Sequence, residues 1–109
     1  MMKMVMCVID DIDTYNLLDA LSEGNFQATK LASSGGFLRR GNTTLLIGVE
    51  DERKEEVLDV IRKICKPRKQ AVPVSPVFAM EESVIPTDVT VKMGGATVFV
   101  LDVMEDFKM

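Results

Sequence analysis

With 109 residues, 13 basic and 17 acidic side chains, a net charge of -4 and 47% apolar content, the chain has the size of a single domain spanning residues 1–109. That acidic balance argues against a general nucleic-acid binder, which needs a basic face. The lack of histidine excludes histidine-based acid/base and triad chemistry, and Cys7 and Cys65 lie too far apart for the usual zinc spacings. Both thiols sit in apolar settings, as reduced cysteines of a cytoplasmic protein do. Met1 to Ile9 is too short and too sparsely basic for a signal peptide, and no stretch is long enough to insert in a membrane.

Met2 to Ile9, rich in Met and Val, reads as a strand buried on both faces. Asp10-Asp11-Ile12-Asp13 follows as a turn, with Asp13 the expected N-cap of a helix that carries Leu17, Leu18 and Leu21 at helical spacing. Gly24 is its expected left-handed stop. Phe26 to Ala32 and Thr43 to Val49 read as strands. Asp51 is placed to cap a second helix, whose buried face is Val57, Val60, Ile61 and Ile64 and which Pro67 closes. From Pro67 to Pro86 there is no clear period; the stretch is too apolar for a plain linker and reads as a long loop that can dock on something. Val89 to Met93 and Ala96 to Val103 are strands around Gly94-Gly95, a good two-residue hairpin signal.

Strand, helix, strand, strand, helix, strand, with an extra terminal strand, is the α+β split βαβ, or ferredoxin-like, arrangement. It has an antiparallel sheet with both helices on one face; the open face must be covered, and trimerisation is one solution.

Chemistry concentrates between residues 25 and 48. Along a strand, Asn25, Gln27 and Thr29 share one face and present amide, amide and hydroxyl, which suit an adenine edge and a phosphate oxygen. Phe37 and Leu38, set between Gly35-Gly36 and Arg39-Arg40, put an apolar surface beside cations. Asn42 adds another amide, and Gly36, Gly41 and Gly48 allow close backbone approach. A half-buried strand and a packed hairpin explain the same residues without any ligand.

The strings Asn25-Phe26-x-Ala28-Thr29-Lys30-Leu31-Ala32, Ser34-Gly35-Gly36-Phe37-Leu38, Gly41-Asn42-Thr43-Thr44, Ile47-Gly48-Val49-Glu50-Asp51 and Gly94-Gly95-Ala96-Thr97-Val98-Phe99-Val100-Leu101 resemble the PII-like cyclic di-AMP receptor family over nearly the whole chain. The resemblance implies a PII-like homotrimer with one cyclic di-AMP in each cleft between subunits, no other cofactor and no metal. It places an adenine against Phe37, Leu38 and Asn42 over Gly48, with Asn25 and Thr29 at the phosphate and ribose, and brings Gly94 and Phe99 to the cleft. Gln27 departs from it, since that position is commonly Arg in the family; Arg39 or Arg40 could substitute for the missing charge.

The function implied is non-enzymatic signal transduction. The ligand reorders the 36–42 and 67–86 loops, and these control an unidentified protein target. The alternative within the fold is a PII-type sensor of ATP or ADP, but the loop after the second strand is short here and Tyr15 in the first helix is the lone tyrosine. Acylphosphatases share the ferredoxin-like arrangement but need a glycine-rich cradle directly after the first strand. Asp10-Asp11-Ile12-Asp13 stands there and would repel a phosphate.

Overall fold

The structure, a computed structural model, describes residues 1–36, 39–73 and 88–109, with side chains for residues 1–31, 41–69 and 92–109. Phe37, Leu38 and residues 74–87 therefore lie outside the described residues. Among those described, the order is β1 (Met2–Asp10), α1 (Thr14–Glu23), β2 (Ala28–Gly36), β3 (Arg39–Glu50), α2 (Lys54–Ile64), β4 (Arg68–Pro73), β5 (Asp88–Met93) and β6 (Ala96–Asp102).

β1, β2, β3 and β6 form an antiparallel sheet in the order β2-β3-β1-β6. The returning β3 is thus inserted between β1 and β2, which is the split βαβ predicted from the element order. The period of two assigns the faces. Val5, Cys7 and Ile9 of β1 and Leu45, Ile47 and Val49 of β3 are buried against Leu17 and Leu21 of α1 and Val57 and Ile61 of α2. Leu18, Val60 and Ile64 pack at the margin of that core. The alternate residues, among them Met4, Met6, Leu46, Phe99 and Leu101, line the open face; Phe99 remains 52% exposed and Leu101 45%.

Several local readings are corrected. Both helices are entered through a single 3-10 turn, Asp11–Asp13 before α1 and Asp51–Arg53 before α2, so each cap moves upstream. Asp10 takes the capping role, accepting from the Ile12 amide at 3.2 Å, while Asp13 is turned inward. Asp51 instead uses its own amide, donating to the Met1 carbonyl at 2.9 Å. The left-handed residue after α1 is Asn25 (φ 64), not Gly24 (φ -85). Asn tolerates that region, and Gly24 is needed for space, because a Cβ there would lie 2.8 Å from the Phe26 ring.

The 67–86 segment is also not a single loop. Its first part is β4, which pairs from Arg68↔Met93 to Pro73↔Asp88 with β5 to form a separate two-stranded ribbon. Gly94-Gly95 therefore joins the ribbon to the main sheet and is not a β5–β6 hairpin turn. The 36–42 loop is likewise mostly strand: Gly36 stands opposite Arg39, and Asn42 opposite both Ser34 and Asp10.

Candidate ligand-binding site

The structure divides the predicted residues between two ends of the sheet. At one end, Asn25, Gln27 and Gly48 share a hollow of about 250 Å³ with Met2, Glu50 and Arg53. An adjoining hollow of about 420 Å³ has Gln27, Thr29 and Gly48 on its walls, Met4 and Leu46 at its base, and Phe107 and Lys108 of the carboxyl tail beside them. Gln27 and Gly48 belong to both, so the two hollows are halves of one open trough. Asn25 owes its place there to the left-handed turn, Gln27 to the step into β2, and Gly48 to its register on β3 opposite Met4.

Arg53 is held firmly at this trough. Its guanidinium lies 4.2 Å from the centre of the Phe26 ring, Nε donates to Glu56 Oε2 at 2.7 Å, and Nη2 donates to the Gly24 carbonyl at 3.1 Å. Glu50, on the same wall, faces the amino terminus at 3.6 Å. Lys3 and Asp102 form an ion pair outside the trough; the Lys3 ammonium lowers the Asp102 carboxyl pKa, and the pairing raises that of Lys3.

At the other end, Asn42 and Gly94 line a hollow of about 240 Å³ with Asp10, Ala96 and Thr97. The polar groups below it are tied together. Gly94 N donates to Asp10 Oδ2 at 3.3 Å, Thr43 donates to Asp11, and Gly95 N donates to the Cys65 carbonyl at 2.6 Å. Arg68 clasps Asp13 with Nη2 at 2.8 Å and Nη1 at 3.3 Å, and Nη1 also donates to the Lys66 carbonyl at 3.0 Å. Asp13 is only 2% exposed, whereas the Arg68 side chain that pairs with it is 35% exposed.

Asn42 and Gly48 are six residues apart on β3, or roughly 20 Å of strand. Phe99 sits across the sheet from the trough: Thr29, Leu46, Met6 and Phe99 form one row through the successive registers, roughly 14 Å from end to end. One protomer thus gathers Asn25, Gln27, Thr29 and Gly48, keeps Asn42 with Gly94 apart, and leaves Phe99 on the far edge. Gly36 ends β2, and its predicted neighbours Phe37 and Leu38 fall outside the described residues. The reading of the residues missed Arg53, Phe107 and Lys108. Arg53 follows the acidic pair that signals a helix start, and nothing in that pattern points to a ligand.

A larger hollow of about 560 Å³ lies on the helix side among Leu58, Ile61, Cys65, Val98 and Val100. Arg62 also lines it, and it holds none of the predicted residues. The thiols are not nucleophiles: burial pushes Cys7 up to about 11 and Cys65 up to about 12, the latter further raised by Asp13. Among the described residues no group of three acidic or thiol ligands could hold a metal, and no helix is long and apolar enough to cross a membrane.

Comparison with known proteins bears on the fold and the family. A functionally unknown protein from Pediococcus pentosaceus ATCC 25745 is 37% identical with a TM-score of 0.76, over 99% of this chain and 97% of that one. The PII protein of Arabidopsis thaliana, solved with citrate bound, is 14% identical with a TM-score of 0.52 over 94% of this chain and 74% of that one, a likeness of fold alone. The fold is thus PII-like, and the family model described as cyclic-di-AMP receptor matches residues 2–109. The chain belongs to the cyclic-di-AMP receptor family.

Proposed function

We propose that this chain is a non-enzymatic cytoplasmic sensor of cyclic di-AMP that works as a homotrimer, with the nucleotide bound in clefts between subunits. The observation that carries the reading is the convergence of Asn25, Gln27, Thr29 and Gly48 on one trough in a chain matched throughout by the receptor family. Two amides and a hydroxyl beside apolar Met4, Leu46 and Phe107 suit a base and a sugar-phosphate, and binding alone needs no nucleophile or metal. The open face, with Phe99 and Leu101 half exposed, supports assembly through that face.

The signal is a population shift, in which the nucleotide favours one arrangement of the β2–β3 tip and of the β4–β5 ribbon over another. These segments then accept or release a protein target. Gln27, uncharged where the family commonly has Arg, favours a second reading: a preference for ATP, ADP or another nucleotide. Calorimetric titration with cyclic di-AMP, ATP and cyclic di-GMP separates the two, alongside sedimentation to give the mass. Selective binding of cyclic di-AMP at one per subunit is expected; binding of ATP alone would transfer the protein to the second reading.

A further inference from the structure

We infer that Arg53 is the cation that meets the ligand's phosphate, in place of the charge that Gln27 does not supply. This inference rests on the trough being the nucleotide site. Arg39 and Arg40, the substitutes suggested by the sequence, stand at the start of β3, and Arg40 is eight residues, roughly 26 Å of strand, from Gly48. They cannot serve the same trough within one protomer. Arg53 already lines it with Asn25, Gln27 and Gly48.

Its geometry is that of a donor set in advance. The Phe26 ring fixes the plane of the guanidinium at 4.2 Å, and Glu56 and the Gly24 carbonyl take Nε and Nη2. Among the described contacts Nη1 donates to nothing, so both of its N–H groups, with the second N–H of Nη2, remain for an oxyanion. A guanidinium held this way loses little further rotamer freedom on binding, and its fork suits a phosphodiester. Glu56 only partly offsets the charge, because both side chains of that pair are about half exposed, at 45% and 58%. Glu50, the other acid on the wall, faces the Met1 amino group. Lys108 flanks the neighbouring hollow, but it lies on the irregular tail with no ion pair or hydrogen bond among the described contacts to hold it.

The test is calorimetry with cyclic di-AMP on the full chain at several salt concentrations. Arg53→Gln is expected to weaken binding by about tenfold to a hundredfold, the range for a charge-assisted hydrogen bond, and to flatten the salt dependence. Arg53→Lys, which keeps the charge but not the fork, falls between, and Lys63→Ala, exposed on α2 and outside both hollows, leaves the salt dependence near that of the wild type. Adding Gln27→Arg to Arg53→Gln is expected to recover most of the affinity, which loss of the Phe26 contact alone would not allow. If the wild type binds and Arg53→Gln binds equally well with the same salt dependence, the inference is overturned while the receptor reading stands. If the wild type takes up no cyclic di-AMP, both fall.

Discussion

Replacing Gly94 by alanine tests how the β4–β5 ribbon is seated on the sheet. Two separable costs meet at that position. Gly94 has φ +86, and placing a residue with a Cβ in the left-handed region costs roughly 1–2 kcal/mol. Its Cβ would also run into the Lys66 carbonyl oxygen and lie 2.6 Å from Arg68 Nη1. The first of these is backbone and cannot swing aside, so overpacking adds roughly 1–3 kcal/mol. The sum is about 2–5 kcal/mol, a large part of the stability of a domain this size. Gly95 is the internal control, since it has φ +84 but a Cβ there would meet only Pro67 Cγ at 3.7 Å, an ordinary contact. Gly95→Ala should therefore show the conformational cost alone. Urea denaturation of both variants at equal protein concentration measures the difference, because a self-associating chain has a concentration-dependent midpoint. If the two variants lose the same stability, the close approach to Lys66 is not what requires glycine at 94, and the ribbon is seated in some other way.

The Asp13–Arg68 clasp should show a reversal of sign: Arg68→Ala strands a buried carboxylate, so adding Asp13→Asn to it should restore stability, and an additive further loss in the double variant would count against a buried ion pair. Cys7 and Cys65 should ignore an aromatic disulfide reagent at pH 8 until the chain is unfolded. Their raised pKa values favour the folded state below the ordinary thiol value of 9.0, and that advantage is lost as pH climbs towards about 11 for Cys7 and about 12 for Cys65, so the alkaline limb of stability should flatten when both are alanine. Asp102 shows the opposite sign: Lys3 lowers its pKa below 3.8, so its contribution is present above that value and lost as pH falls through the folded pKa. Asp102→Asn should accordingly leave stability at neutral pH slightly lower and make it less sensitive to acid, as read from melting points between pH 3 and 7.

Most of the sheet was legible because its signal is local. Odd-numbered residues of β1 and β3 face the helices, and the apolar runs carry that period of two without help from the rest of the chain. The pairing of β4 with β5 was not legible. Arg68 to Pro73 holds two cations, a glutamine and a proline, a poor strand by composition, and it becomes one by partnering residues 88–93 across an intervening stretch. The same distance hid the role of Gly94-Gly95, whose sequence matches a tight hairpin while its neighbours are committed to different sheets. The caps slipped for a smaller reason: a 3-10 turn and the first turn of an α-helix use the same acidic residues, and only the backbone separates Asp10 from Asp13. At the site, alternation along a strand was the expected reason for Asn25, Gln27 and Thr29 to share a face. Yet β2 begins only at Ala28 and Asn25 is set by its left-handed turn, while Arg53 reaches the trough through a contact with Phe26 made in space.

The separation of the remaining residues has a consequence for assembly that can be tested directly. A single protomer holds Thr29 and Phe99 at opposite ends of one row across the sheet, so no ligand lying in its own trough also meets its own Phe99. If Phe99 serves the proposed cleft, it must do so from the neighbouring subunit, and the two walls of each site belong to different chains. Subunits carrying Phe99→Ala keep a good trough and spoil the wall they lend; subunits carrying Thr29→Ala do the reverse. Each variant alone should bind cyclic di-AMP weakly. Unfolded together in equal amounts and refolded as mixed forms of the proposed trimer, they should regain wild-type affinity at about one quarter of the sites, the chance that a good trough adjoins a good lent wall. Calorimetry counts those sites. A mixture that binds no better than its parents would place Phe99 outside the cleft, and the exposed ring on β6 would then be explained by packing between subunits alone.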